Sequence, residues 1–177
     1  MNAAITHRGP DADGFYEEEN VALGHRRLSI IDLSEVANQP MNSHNDRYVI
    51  VFNGEIYNFA ALKKNFDCNW KTQGDTEVIL EMFQKFGNDC ANHFNGMFAM
   101  AIYDRREKSL TCFRDRFGVK PLYYYWNGKD FAFASELKAL LQLDIEKEID
   151  KEAVQDEVFI RLACKRYTLA LYFNNQL

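Results

Sequence analysis

Three short stretches of the sequence carry polar side chains that could act together on a small charged ligand. Arg27 stands in GHRRLSIIDL, Asn53 and Gly54 stand in VFNGEIYNF, and Asp75 stands in TQGDTEVIL. A guanidinium group can bind a carboxylate through two N–H groups, and a carboxylate can bind an ammonium group. A side-chain amide beside a glycine N–H can stabilise the oxyanion formed in acyl transfer. These residue types therefore fit a clamp for a zwitterionic amino acid.

Each of these residues also has an ordinary structural explanation. Arg27 by itself is typical of a surface or interface arginine. Asp75, at the start of a predicted helix, is typical of an N-cap residue. Asn53-Gly54 is compatible with a tight turn into a helix. No single one of these stretches carries a functional conclusion.

The Asn53-Gly54 pair follows an apolar run, which is the usual sequence signal of a β-hairpin. No second strand follows, because Ile56, Phe59 and Leu62 have the spacing of a helix face. We therefore predict that a strand over residues 48–52 ends at Asn53-Gly54. Glycine at this point would allow the main chain to approach a ligand closely.

The other elements that must position these residues are mainly short strands. The apolar run after Arg27 is predicted to be buried, and residues 75–87 are predicted to form a helix with a buried face. Short helices are predicted from Ser135 and after Asp150. Strands covered on both faces, with helices outside them, indicate an α+β fold. Predicted strands are residues 15–16, 21–28, 48–52, 97–104 and 109–115 and a hairpin around Asn127-Gly128, and the predicted buried helix face is Val78, Ile79, Met82, Phe83 and Phe86.

Composition limits the classes of function. The 177 residues are 47% apolar and 27% charged, as in an ordinary globular domain. A net charge of −5 argues against nucleic acid as a partner, and the lack of a long apolar run argues against a membrane span. The four cysteines and four histidines show no metal-ligand spacing, so neither a metal site nor a disulfide framework is predicted. The start MNAAITHRGPD has no signal-peptide pattern. We expect a cytoplasmic protein.

Eight blocks in sequence order resemble the glutaminase domain of glutamine-dependent asparagine synthetase of the B type, a class II glutamine amidotransferase. The resemblance runs from about residue 7 to about residue 160. The blocks are HRGPD, GHRRLSIIDL, QP, FNGEIYN, GDTEVIL, NGMFAMAIYD, RDRFGVKPLYY and ASELKAL.

This resemblance implies an N-terminal-nucleophile hydrolase-like fold with two stacked antiparallel sheets between helical layers. It implies a type 2 amidotransferase domain over residues 1–145 and the start of a linker and synthetase domain over residues 146–177, with the pattern lost after about residue 161. The implied L-glutamine site consists of Arg27 for the α-carboxylate, the main chain of Leu28, Ser29, Ile30 and Ile31 along the pocket, Asn53 and Gly54 as the oxyanion hole, and Glu55 and Asp75 for the α-amino group.

In the full-length family, glutamine, aspartate and ATP give asparagine, glutamate, AMP and pyrophosphate. The resemblance implies that ATP and Mg belong to the synthetase domain, so we expect neither a cofactor nor a metal in this chain. The implied partners are L-glutamine and the synthetase domain, and a homodimer is possible in the full-length family.

The sequence departs from the family pattern at both ends. Family members open with a cysteine nucleophile whose free α-amino group is the base, whereas this sequence has Asn2 and reaches the HRGPD block at His7. The internal cysteines, Cys68, Cys90, Cys112 and Cys164, lack that amine. The Ser-Gly-Gly loop that binds ATP is also missing.

We expect an absent first strand, an unpaired sheet edge, weak glutamine binding and no hydrolysis by these residues alone. Two alternatives to an enzyme domain stay open. One is a glutamine-binding module without catalysis, and the other is a fragment of a decayed gene.

Overall fold

A five-stranded antiparallel sheet forms the centre of the fold, and its strands are, in spatial order, Met41–Asn42, Tyr48–Ile56, Gly96–Asp104, Ser109–Arg114 and Ala170–Asn174. The computed structural model describes residues 1–145 and, as main chain, residues 170–174. The helix predicted after Asp150 lies outside the described residues. The strands are β1 (Ala12–Glu18), β2 (Val21–Arg27), β3 (Met41–Asn42), β4 (Tyr48–Ile56), β5 (Gly96–Asp104), β6 (Ser109–Arg114), β7 (Tyr123–Trp126), β8 (Phe131–Ala134) and β9 (Ala170–Asn174), and the α-helices are α1 (Phe59–Lys63), α2 (Thr76–Phe86) and α3 (Leu137–Leu140).

The two faces of this sheet are covered by different elements. On one face, Ile50 and Phe52 of β4 pack with Met100 of β5 against Ile79 and Met82 of α2. Side chains alternate between the faces of a strand, so the intervening residues of β4 point the other way. On that second face, buried residues of the central strands pack with side chains of the hairpins β1–β2 and β7–β8: Leu23, Val49, Val51, Ala101, Tyr103 and Cys112, with Tyr16, Phe131 and Phe133.

The α+β fold class and several elements are confirmed. The strand over residues 97–104 is buried from Phe98 onwards, as its continuous apolar run predicts. The hairpin around Asn127-Gly128 forms as β7 and β8, and Tyr124 stacks on Phe131. Among the described residues, no helix is long and apolar enough to cross a membrane.

Other predictions of local structure are wrong. Asn53 and Gly54 do not end β4, because the strand continues to Ile56 and pairs with β5 throughout. The apolar run after Arg27 is not a buried strand but a loop in which Ile30 is 73% exposed. Phe86, expected on the buried face of α2, is 38% exposed.

A buried carboxylate fixes the turn that follows β6. Asp115 is 3% exposed and accepts hydrogen bonds from four main-chain N–H groups. One donor, Phe98, belongs to β5, and the others belong to the turn: Phe117, Val119 and Lys120. The aspartate in RDRFGVKP therefore ties the chain leading into β7 to the central sheet.

We predict that Asp115→Ala lowers the free energy of unfolding by about 2–4 kcal/mol, because it leaves buried N–H groups without an acceptor. Urea denaturation at pH 7 measures the change. Asp144→Ala removes an exposed carboxylate and serves as the control, with an expected change within about 0.5 kcal/mol. Equal effects of the two substitutions would contradict this account of Asp115.

Candidate active site

A cavity of about 1410 Å³ lies on the hairpin side of the central sheet. Its walls include Leu23 of β2, Val51 of β4, Ala101 of β5 and Phe133 of β8. Its volume exceeds that of the usual small-molecule pocket, so it has room for more than one amino acid.

Most of the residues predicted from the sequence to form the site lie around this cavity. Ser29 does not line it, and its N–H instead donates to Asp11 Oδ2 at 2.8 Å. The predicted residues that do line the cavity are Arg27, Leu28, Ile30, Ile31, Asn53, Gly54, Glu55 and Asp75.

The N–H groups of β4 explain how a strand interior can serve a ligand. In an antiparallel strand, the main-chain polar groups of successive residues point to opposite edges. The Tyr57 N–H donates towards the β5 side, to Asn95 O, so the N–H groups of the even-numbered residues point away from β5. Side chains take two of these: Phe52 N–H donates to Gln39 Oε1 at 2.6 Å, and Ile56 N–H donates to Asp75 Oδ2 at 2.9 Å.

The Gly54 N–H lies between these two donors, and neither of the two acceptors takes it. Phe98, the partner of Gly54 in β5, uses both its N–H and its C=O with Asp115, so the pair is not hydrogen-bonded. The Gly54 N–H is therefore directed away from β5 at a residue that lines the cavity.

Glycine at position 54 is required by the neighbouring strand. A Cβ atom there would lie 2.1 Å from Met97 O and 2.7 Å from Phe98 Cα. The close approach of β5 by itself accounts for glycine here, and the expectation that Gly54 lets the main chain approach a ligand stays a prediction.

Asn53 and Glu55 reach the cavity because of the strand period. They alternate with Phe52 and Ile56, which point into the core against α2, so their own side chains face the hairpin side. Both are partly buried and line the cavity. The site therefore receives an amide and a carboxylate from the same face of β4.

Asp75 contributes a second carboxylate from the start of α2. It holds the N-cap position without a side-chain capping bond, so the interpretation of its side chain as a helix cap is corrected. The residue is 5% exposed. Burial raises the pKa of Asp75 above its ordinary value of 3.8, and Glu55 raises it further, while the hydrogen bond from Ile56 N–H acts in the opposite direction.

Arg27 ends β2, is buried, and holds the loop that follows it. Its Nη1 donates to Ser34 O at 2.8 Å and to Asn38 Oδ1 at 2.6 Å. Its Nη2 donates to Asp32 O. An arginine has five N–H groups, so the Nε–H and one Nη2–H are not used in these bonds. The unused N–H groups leave the guanidinium able to donate to a further acceptor, such as a carboxylate.

His25 is a residue of the site that the sequence did not single out. Its Nε2 donates to Phe52 O at 3.1 Å, and its Nδ1 is buried without a hydrogen-bond partner among the described residues. Burial lowers the pKa of His25 from 6.5 to about 4; the charge of Arg27 also lowers it, and the bond to Phe52 O opposes the shift. Its place in the GHRR block, two residues before Arg27, is the only sequence signal for it.

Comparisons with known proteins agree with the fold. A family model described as a glutamine amidotransferase domain matches residues 1–174. In structure, the chain is similar to the glutamine phosphoribosylpyrophosphate amidotransferase of Bacillus subtilis, with a TM-score of 0.61, 21% identity, and coverage of 88% of this chain and 33% of that one. At that identity, the likeness shows the fold alone.

Two curated relatives are more similar in sequence. The putative glutamine-hydrolyzing asparagine synthetase 2 of Methanocaldococcus jannaschii is 44% identical over 176 residues, which cover 88% of this chain and 34% of the relative. The glutamine-hydrolyzing asparagine synthetase 1 of Bacillus subtilis is 41% identical over 172 residues, which cover 96% of this chain and 27% of the relative. The chain thus spans only about a third of the length of the first relative and about a quarter of the second.

The fold, the cavity and the family model thus define a glutamine amidotransferase domain of the N-terminal-nucleophile type. Within this class, the chain belongs to the family of glutaminase domains found in asparagine synthetases, as its sequence blocks predict.

The protonation of His25 predicts a pH dependence of stability. The unfolded chain takes up a proton near pH 6.5 and the folded chain only near pH 4, so acid favours unfolding. The contribution of the neutral His25 to the free energy of unfolding is fully present above pH 6.5. Up to about 3 kcal/mol of it is lost as the pH falls to about 4. We expect His25→Gln, which keeps a donor for Phe52 O, to flatten this loss in urea titrations across that range.

His93→Gln, at an exposed histidine, is the control and should keep the slope of the unaltered protein. If His25→Gln lost stability with falling pH as steeply as the unaltered protein, the neutral His25 imidazole would not be the cause of the pH dependence.

Proposed function

We propose that this domain binds L-glutamine in the cavity and that, in a chain that supplies an N-terminal cysteine, it hydrolyses the glutamine amide to glutamate and ammonia. The observation that carries the proposal is the Gly54 N–H, directed away from β5 between two N–H groups that side chains already bind. A donor fixed by a strand keeps its direction when charge develops on the substrate oxygen.

The Asn53 side chain supplies the second donor of the proposed oxyanion hole. Its amide lies on the cavity face of β4, and Gly54 follows directly in the chain. A tetrahedral intermediate carries its negative charge on the former amide oxygen, so two donors beside that oxygen stabilise the transition state more than the bound substrate.

The charges around the cavity support a zwitterionic ligand. The unused N–H groups of the Arg27 guanidinium fit an α-carboxylate, while Glu55 and Asp75 fit an α-ammonium group. Asp75 is costly to ionise in the empty site, since burial and Glu55 both raise its pKa. An ammonium group between the two carboxylates removes that cost.

The use of the ammonia is proposed from the relatives. The two curated relatives are glutamine-hydrolyzing asparagine synthetases, and this chain covers 34% of one and 27% of the other. We propose a synthetase domain as the partner, with aspartate as the acceptor and ATP and Mg bound there. We likewise propose a homodimer, a cytoplasmic location and a domain boundary at residue 145.

A glutamine-binding module without catalysis is the second candidate. It is favoured by the described cysteines, Cys68, Cys90 and Cys112, which lie within the chain and have no free α-amino group to act as a base. The thiols of Cys90 and Cys112 are buried, and burial raises the pKa of each to about 12, so neither can act as a nucleophile at neutral pH.

We predict that a polypeptide of these 177 residues releases glutamate from glutamine no faster than a buffer blank, because no described residue combines a nucleophile with a free α-amino group. Glutamate formation can be followed with glutamate dehydrogenase. Turnover above the blank that disappears in Asp75→Asn would contradict this prediction and reveal another nucleophile.

We predict that Asp75→Asn weakens L-glutamine binding at least tenfold at pH 7, because one of the two anions facing the α-ammonium is lost. The amide oxygen can still accept from Ile56 N–H, and the cost of burying a charge is removed, so the melting temperature should not fall. Chemical-shift titration suits the weak affinity expected of this chain.

The matched control for Asp75→Asn is Asp144→Asn, at an exposed aspartate outside the cavity. Unchanged binding in Asp75→Asn, or an equal loss in both variants, would overturn the assignment of Asp75 to the ligand.

A further inference from the structure

A second group of reactive side chains lies around the outer part of α2. His44 from the turn between β3 and β4, Cys68 from the loop before α2, and Glu81 from α2 present one ligand atom each, and these atoms lie within 4.8 Å of one another. None of the three lines the glutamine cavity. The group therefore calls for an explanation of its own.

The orientation of His44 is set by a neighbouring carboxylate. Glu77 accepts a hydrogen bond from His44 Nε2 at 2.6 Å, and it also accepts from the N–H groups of Lys71 and Thr72. Since an ionised carboxylate only accepts, Nε2 carries a proton, and Nδ1 is the nitrogen whose lone pair could bind a metal ion. Metal-binding histidines usually have this arrangement, in which a carboxylate holds the nitrogen that does not face the metal.

The free nitrogen points at the other two ligands. Cys68 Sγ lies 3.2 Å from His44 Nδ1, and Glu81 Oε1 lies 3.7 Å from the same atom. Bonds of about 2.1 Å to nitrogen and 2.3 Å to sulfur at a tetrahedral angle place those two atoms about 3.6 Å apart, and a bond of about 2.1 Å to oxygen places nitrogen and oxygen about 3.4 Å apart. The observed N–S and N–O separations are each within about 0.4 Å of these values.

The charge balance also favours a cation. Glu77 and Glu81 are one helical turn apart, 5% and 12% exposed, and like charges at this spacing repel. Among the described residues, the only basic side chain in ion-pair contact with either carboxylate is His44, and it carries no charge when its Nδ1 binds a metal ion. A divalent cation would compensate for the repulsion.

We propose that His44 Nδ1, Cys68 Sγ and Glu81 Oε1 bind one zinc ion, with Glu77 holding the imidazole. Nitrogen, thiolate and carboxylate ligands suit zinc, and three protein ligands leave the fourth position to water. Binding deprotonates the Cys68 thiol and releases its proton to solvent. The ion would join the β3–β4 turn and the loop before α2 to the helix.

The test uses the full 177-residue chain, kept reduced and stripped of metal with a chelator. Titration with ZnCl₂ against a chromogenic chelator should give one zinc per chain, and Cys68→Ser should weaken the affinity at least tenfold. Cys164→Ser is the matched control and should bind as the unaltered chain does. Failure to bind one zinc, or equal affinity in Cys68→Ser, would overturn the proposal.

A spectroscopic test does not depend on the folding of Cys68→Ser. Co²⁺ added to the unaltered chain and to Cys164→Ser should give the same sulfur-to-cobalt charge-transfer band. Glu81→Gln should keep the band and bind cobalt more weakly. The absence of the band, or its loss in Cys164→Ser, would show that Cys68 is not a ligand.

Discussion

The edge of β4 that faces away from β5 is the constraint on which the rest of the structure depends. Its N–H groups cannot pair with β5 and lie too deep for water to satisfy them all, so other parts of the chain must supply acceptors. Gln39 does so for Phe52, and Asp75 does so for Ile56. These two bonds place the segment before β3 and the start of α2 on either side of Gly54.

The same constraint explains why Asp75 does not cap its helix. Its carboxylate accepts a hydrogen bond from Ile56 N–H of β4, so the first turn of α2 has no side-chain cap. Burial also raises the pKa of the Asp75 carboxyl group. Both effects cost stability, and an uncharged amide oxygen could accept from Ile56 N–H without the cost of a buried charge. A buried carboxylate that is costly in the folded protein but complementary to an ammonium group is typical of a binding site.

The parts of the fold that follow from local pattern could be predicted from the sequence, and the parts that follow from pairing could not. The continuous apolar run of β5 and the periodic face of α2 identify both elements. Asn53-Gly54 wrongly predicts the end of the strand. Its glycine is needed because Met97 of the adjacent strand lies too close for a Cβ atom, and this contact is not visible in the local sequence. The apolar residues after Arg27 resemble a buried strand, yet they form an exposed loop beside the cavity, held by the Arg27 guanidinium.

The loop before α2 connects the two candidate sites over a short length of chain. Gln73 N–H donates to Asp32 Oδ2 at 2.7 Å, and the main-chain oxygen of Asp32 accepts from Arg27. Cys68 lies five residues before Gln73, and Asp75 lies two residues after it. An ion that fixed Cys68 to α2 would reduce the conformational freedom of this loop in the unliganded protein, so less ordering would be left for glutamine to impose on the Arg27 side of the cavity.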